Sequence, residues 1–366
     1  MDGFHCLRGK LTALAWIVAG GALAGLVYVA LLANVGKFPF TLQAARNGLI
    51  NGATITGILG TFEIFVWHAQ AGAPLRRLPF PVRVASKTLV YGLVIAATLT
   101  TYNTWLLAHT VEVRDPWLYI RENLARDTLF SMAVVLLFQF VMQMRRLIGG
   151  RVLTNIVLGR YTRPREETRL FLFVDIADST AIAHRLGDLE THALISRVFF
   201  DLDAVIARYG GEVHRYVGDQ VVVTWPLEAG MANGRCLRCA LEMRRLLERR
   251  ALWYRRRFGL APAVRAGLNG GPVVAGECGD ARIEIVYFGD TVNTAARLEQ
   301  TAKALDRWLL LPTTLADRLP GVPGWRREDL GPVMLKGRDT PVTLCAFEPE
   351  AEAAPAPAPG RAAAAA

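Results

Sequence analysis

Cysteine is sparse in this sequence: Cys6, Cys236, Cys239, Cys278 and Cys345 are the whole complement, odd in number and scattered. Such a set excludes the disulfide framework that staples small secreted domains. Cys236-x-x-Cys239 lies in a helical pattern with no second ligand pair, so packing rather than zinc is expected there. Histidine is scarce as well, and no four-histidine pattern for a pair of haems exists. A Gly-Lys-Ser/Thr ending is missing from the glycine-rich run Leu268-Asn269-Gly270-Gly271-Pro272, which therefore reads as a turn in a sheet and not as a phosphate-gripping loop. Acids are outnumbered, 32 against 42 Lys and Arg, giving a net charge of +10. The excess lies beside apolar spans and along 235–257. There Leu241, Leu246, Leu247 and Leu252 point inward from a helix whose arginines form the solvated face, so no nucleic-acid partner is expected.

Apolar sequence, by contrast, is abundant before residue 145. Four spans, roughly 11–35, 48–67, 88–111 and 128–144, each approach the ~20 residues a helix needs to cross a bilayer. The first is too long for the ~7–15-residue core of a signal peptide. Basic residues place the segments around Arg8 and Lys10, around Arg76, Arg77, Arg83 and Lys87, and around Arg145, Arg146 and Arg151 on the cytoplasmic side. Four crossings then leave both termini inside. Within the spans, Glu63 is the costly residue, and pairing with Lys87 or Arg83 is the expected answer. Ala19-Gly20-Gly21-Ala22 and Gly25 suggest close helix packing, including packing between protomers. The links outside are short, so a ligand of this half, of unknown chemistry, would bind among the helices or be lipid-like.

Four regions follow: a four-helix transmembrane domain (1–144), a connecting transmission helix (145–165), a folded domain (166–348) and a disordered Ala/Pro tail (349–366). In the folded domain the pattern alternates: strand 170–175, helix 179–208, hairpin 212–225, helix 229–258, strands 263–268 and 283–288, helix 291–305, and short strands near 333–335 and 342–347. Two long helices on an antiparallel sheet give an α+β, ferredoxin-like sandwich.

The chemistry concentrates where strands end. The apolar run Leu170–Val174 meets Asp175, and Gly218-Asp219 turns between two Val-rich strands. Asp175 and Asp219, on neighbouring strands with backbone carbonyls beside them, form a hard-oxygen site suited to Mg²⁺ or Mn²⁺ against a nucleoside triphosphate. Downstream, Gly289-Asp290 opens a helix bearing Asn293 and Arg297, which share a face at i and i+4 and suit a developing charge on phosphate or ribose oxygen.

Phe173-Val174-Asp175-Ile176 with Ser179-Thr180, then Gly218-Asp219, then Gly289-Asp290-x-Val292-Asn293-x-Ala295-Ala296-Arg297-Leu298 resemble, in order and spacing, the class III nucleotidyl cyclases. The resemblance covers about 170–347 and implies a homodimer with active sites across the interface. Asp175, Ile176 and Asp219 of one protomer would hold two metal ions, and Asn293 and Arg297 would come from the other. It also implies that Lys336 contacts the triphosphate tail, and it places Arg215 and Val286 where the family reads the base. Arg215 is donor-only and favours adenine N1, whereas Val286 cannot accept from the adenine amine. The implied activity is adenylate cyclase, a phosphorus-oxygen lyase acting on ATP, in a protein of the bacterial inner membrane with its catalytic domain cytoplasmic. Guanylate cyclase, or an inactive receptor with a cyclase-like dimerising domain, are the alternatives. Gly210-Gly211-Glu212-Val213 partly matches a diguanylate cyclase loop, but Val213-His214 lack its acid and aromatic.

Overall fold

The computed structural model describes residues 2–36, 39–67, 79–110, 116–148, 154–156, 158–280 and 283–349. The chain divides into two compact units, Met1–Gly150 and Arg151–Ala366.

The first unit contains helices α1 (Asp2–Asn34), α2 (Leu42–Thr61), α3 (Phe80–Thr110) and α4 (Pro116–Ile148), with α2 running on into a π-helical stretch, Phe62–Trp67. Among the described residues, three segments are long and apolar enough to cross a membrane: Leu14–Asn34, Leu42–Phe65 and Asn123–Met144. The expected span 88–111 is helical within the 31-residue α3. It is not among those three, and its later turns carry Thr98, Thr100, Thr101, Asn103 and Thr104. The hydroxyls of Thr98, Thr101 and Thr104 are satisfied by the carbonyls four residues back, at 2.7–2.8 Å.

Glycine in α1 serves packing inside the chain. A Cβ on Gly25 would lie 2.0 Å from the Gly48 carbonyl oxygen, and one on Gly52 the same distance from that of Gly21. The two helices therefore meet backbone to backbone along Gly21-x-x-x-Gly25 and Gly48-x-x-x-Gly52. Glu63 has the expected partner: Lys87 Nζ donates to its two carboxylate oxygens at 2.8 and 2.9 Å, and the Tyr91 hydroxyl donates to it as well. The pair is settled on the rim of a core formed by Ile55, Leu59, Tyr91, Ile95, Leu99 and Val135.

The second unit is an eight-stranded sheet in the order β2-β3-β1-β4-β6-β8-β7, with β5 paired to β4. Its strands are β1 (Arg165–Ile176), β2 (Glu212–Val217), β3 (Gln220–Pro226), β4 (Val264–Cys278), β5 (Glu284–Phe288), β6 (Leu309–Pro312), β7 (Trp325–Val333) and β8 (Val342–Pro349). All pairings are antiparallel save β4 with β6, which a helical crossover makes parallel. β1 alternates: Leu170, Leu172, Val174 and Ile176 enter the main core, while Phe171 and Phe173 enter a second cluster on the other face.

Both long helices are interrupted where the backbone turns left-handed. Gly187 (φ 75°) divides the first into α5 (Ser179–Leu186) and α6 (Asp188–Arg208). In the second, Asn233 (φ 54°) follows α7 (Leu227–Met231), and α8 (Arg235–Arg249) and α9 (Ala251–Phe258) come after it. Helix α10 (Asp290–Ala304) and the short α11 (Thr313–Ala316) complete the unit. The run Leu268–Pro272 lies inside the 15-residue β4 and is not a turn: its glycines admit close neighbours, since a Cβ on Gly270 would meet Leu170 at 2.6 Å and one on Gly271 would meet Thr291 at 2.7 Å. Strand β6 and most of β7 lie outside the expected elements. Leu252 points outward, 67% exposed, whereas Leu241 and Leu247 are buried as expected. Cys236 and Cys239 are fully buried in the core, and burial pushes the Cys236 thiol up to about 12.

Of the connecting segment, Thr154–Ile156 are helical and residues 158–164 are described; 149–153 and 157, like the tail from 350 and His68, lie outside the described residues. Tyr161 is buried between Ala275 and Ile285, and its hydroxyl donates to Glu167 Oε1 at 2.8 Å. This residue ties the start of the unit to the β4–β5 hairpin.

Candidate active site

Asp175 stands at the C-terminal end of β1, with its Cα in register with Gln220 on β3 and Arg265 on β4. Asp219 occupies the β2–β3 turn, which Gly218 (φ 61°) allows to be tight. The Ile176 amide donates to the Asp219 carbonyl at 3.3 Å, so strand exit and hairpin are held side by side. The Asp175 carboxyl is pushed up to about 7, first by burial, then by the neighbouring charges of Asp219 and Glu299 and a hydrogen bond with Asp219; Lys303 opposes the rise.

Glu299 and Lys303 come from α10 and did not figure in the sequence reading. Glu299 is 5% exposed, accepts from Gln220 Nε2 at 3.2 Å, and has its own carboxyl raised by burial. The signal for it was present, since position 299 falls on the buried stripe of α10 with Ala295, Leu298 and Ala302. An acid in an apolar stripe needs a reason.

A divalent cation fits here as relief for a crowded acid pair. Among the described residues no group of three His, Cys, Asp or Glu side chains is placed to hold a metal. The oxygens that could hold such a cation are the two carboxylates and the Ile176 carbonyl, a set that would leave positions for other oxygen ligands.

Asn293 and Arg297 lie on α10 on the side away from Glu299, with Asn293 exposed and Arg297 half-buried. A Cβ at Gly337 (φ 71°) would lie 3.4 Å from Arg297 Nη2, so the Leu335-Lys336-Gly337 loop rests on that guanidinium. Buried Leu335 pins the loop, Arg338 forms an ion pair with Asp290, and Lys336 is exposed beside them. Arg297 and Lys336 are thereby brought together. The acid pair in the same chain is instead faced by Glu299 and Lys303.

Arg215, exposed on β2, forms an ion pair with Glu284 on β5. Glu284 is two residues from Val286 on the same strand and on the same face, so the base-reading positions Arg215 and Val286 are brought near one another. Next to Arg215, His214 is turned inward against Tyr287 (centroids 5.0 Å apart), and burial, with Arg215 and Arg169 adding to it, pushes its imidazole down to about 4.

Residues 163–345, half of the chain, match the family model for the adenylate and guanylate cyclase catalytic domain. Adenylate cyclase 2 of Rhizobium meliloti (strain 1021) is 41% identical over 199 residues, 54% of this chain and 55% of that protein. Adenylate cyclase 1 of the same strain is 29% identical over 225 residues, 60% of this chain and 32% of that protein. The chain thus spans about half or less of the length of these relatives. A bacterial light-regulated adenylyl cyclase shares the fold, with a TM-score of 0.51 at 22% identity over 64% of this chain and 66% of that one. The chain belongs to the adenylate and guanylate cyclase catalytic domain family.

Proposed function

We propose that this protein is a membrane-anchored adenylate cyclase that converts ATP to cyclic AMP and pyrophosphate at sites shared by two copies of the chain. One observation carries the reading. On α10 the faces are divided: Glu299 and Lys303 turn to the acid pair of their own chain, while Asn293 and Arg297 present a separate polar face beside Lys336. A site that needs both sets is completed by the partner's Asn293 and Arg297.

When bound by Asp175, Asp219 and the Ile176 carbonyl, two Mg²⁺ or Mn²⁺ ions supply charge neutralisation and lower the pKa of the attacking hydroxyl. The chain's residues do the rest by position. The ribose 3′-oxygen forms a bond to the α-phosphorus, the bond to the β-phosphate bridging oxygen breaks, and the 3′-proton leaves to solvent. Arg297 and Lys336, permanently charged donors, meet the phosphate oxygens on which charge accumulates. Asn293 holds the ribose.

For the base, Arg215 donates to adenine N1, and Glu284 supplies the acceptor for the exocyclic amine that Val286 lacks. The name of the 41%-identical relative agrees with ATP. Guanylate cyclase activity is the second reading, because a Glu284 carboxylate can also accept from guanine N1–H. Both termini and the catalytic unit lie on the cytoplasmic side of the inner membrane, with α3 as the fourth crossing.

Detergent-solubilised protein given Mn²⁺ with ATP or GTP tests this. Cyclic AMP from wild type and none from Asp175→Asn is the expected result, with Glu284→Gln losing selectivity for ATP over GTP by about tenfold, the worth of one charged hydrogen bond. Cyclic GMP alone would reverse the base assignment. No cyclic product from either nucleotide would leave an inactive receptor.

A further inference from the structure

The first unit contains a cavity of about 490 Å³ between α1, α2 and α4. At one end the rings of Tyr28 and Phe130 stack with centroids 4.1 Å apart. The Tyr28 hydroxyl donates to the Asp127 carboxylate and accepts from Arg126 Nε at 3.0 Å, while Arg126 Nη2 meets Asp127 at 3.0 Å. This cluster is internally paired and neutral. Beyond it the walls carry apolar side chains, Ala24, Val29, Ile55, Leu99, Val134 and Val135, interspersed with the polar Asn47, Thr56, Asn123 and Ser131.

Asn51, on α2, also lines the space, and its buried Oδ1 finds no hydrogen-bond donor among the described residues. At membrane depth no bulk water corrects such a lapse. A volume of this size suits a small organic molecule. Its occupant must bring a donor for Asn51 and an apolar body for the stretch along Ile55, Val134 and Val135. A net charge is disfavoured, because Arg126 and Asp127 already neutralise each other and a further ion would be uncompensated.

We propose that this cavity is a binding site for a neutral, hydroxyl-bearing amphipathic molecule, whose O–H donates to Asn51 and whose apolar body packs along Ile55, Val134 and Val135. A plain acyl tail would leave Asn51 unpaired. One wall belongs to α4, the helix from which the chain passes to the connecting segment, so an occupant acts on the element through which the two units are joined in sequence.

The test uses the full-length protein in nanodiscs and a diazirine-bearing dodecanol, with the methyl ether and the carboxylate of the same chain as comparators. Expected is saturable photolabelling of α1, α2 and α4 at cavity residues, competed by unlabelled dodecanol, and weakened about five- to tenfold in Asn51→Leu and in the ether, the ratio one hydrogen bond confers. Ser131→Leu, which narrows the space without touching Asn51, is expected to lower labelling as well. Equal labelling by ether or carboxylate overturns the assigned chemistry. Labelling that does not saturate, or that maps to outward residues such as Leu23 and Leu137, shows ordinary lipid contact or a water-filled space and overturns the site.

Discussion

Gly267→Ala probes the coupling of sheet to helix on which the active site depends. Gly267 sits in β4 in register with Phe173 on one side and Leu310 on the other. A Cβ there would lie 2.4 Å from the Glu299 amide nitrogen, 2.5 Å from the Ala295 carbonyl oxygen and 2.9 Å from the Leu298 carbonyl carbon. All three are backbone atoms of α10, so no side chain can swing aside. The helix must retreat by about 1 Å, a misplacement that costs on the order of 10²-fold in rate when it moves groups that position a substrate. Overpacking of this kind also costs ~1–3 kcal/mol, a fall in melting temperature of about 3–10 °C for a unit of this size. Gly276→Ala is the control, since its Cβ would meet Pro164 at an ordinary 3.5 Å. Thermal unfolding and cyclic nucleotide formation are read on both variants. If Gly267→Ala behaves as Gly276→Ala does, the close approach of α10 to β4 is not what holds the site.

His214 is neutral in the folded unit down to pH about 4. The unfolded chain takes up its proton near pH 6.5, so it binds more protons in that window and stability is lost as pH falls from 6.5 toward 4. Urea unfolding at pH 7 and pH 5 is expected to differ by about 2 kcal/mol more in wild type than in His214→Phe; equal differences would refute it. In the first unit, Lys87→Met removes the cation beside a half-buried Glu63, leaving Tyr91 as a neutral donor, and is expected to cost up to about 3 kcal/mol, most of which Glu63→Gln added to it restores. Strictly additive losses in detergent unfolding would count against the pair. Tyr161→Ala removes a side chain that is 2% exposed and should cost ~3–5 kcal/mol with faster amide exchange in β5, whereas Tyr161→Phe should cost about 1 kcal/mol. Unchanged β5 exchange in the alanine variant would mean that Tyr161 does not anchor the hairpin.

What the sequence made legible were features with local causes. Asp175 ends an apolar run and Asp219 follows a hairpin glycine, so their positions follow from strand periodicity and turn chemistry, and the structure places them side by side. Glu63 in an apolar span demanded a partner, and Lys87 is that partner. Features with distant causes were hidden. The glycines of Leu268–Pro272 look like a turn until Leu170 and Thr291 are seen pressing on them. Gly187 and Asn233 interrupt the two long helices by turning the backbone to positive φ. The Arg215–Glu284 pair links β2 to β5, 69 residues apart, which no spacing rule reveals. Likewise the glycines of α1 promised close packing but not the partner, which is α2 of the same chain.

The central claim is a catalytic site built from two chains, and complementation tests it most directly. Asp175→Asn and Arg297→Ala are each expected to abolish cyclic AMP formation alone. Co-expressed in equal amounts, they should restore about a quarter of wild-type activity, because half of the randomly paired dimers are mixed and each mixed dimer keeps one intact site of its two. No activity from the mixture, while both variants fold and associate, would contradict a shared site and place the acid pair and Arg297 in one chain's own centre.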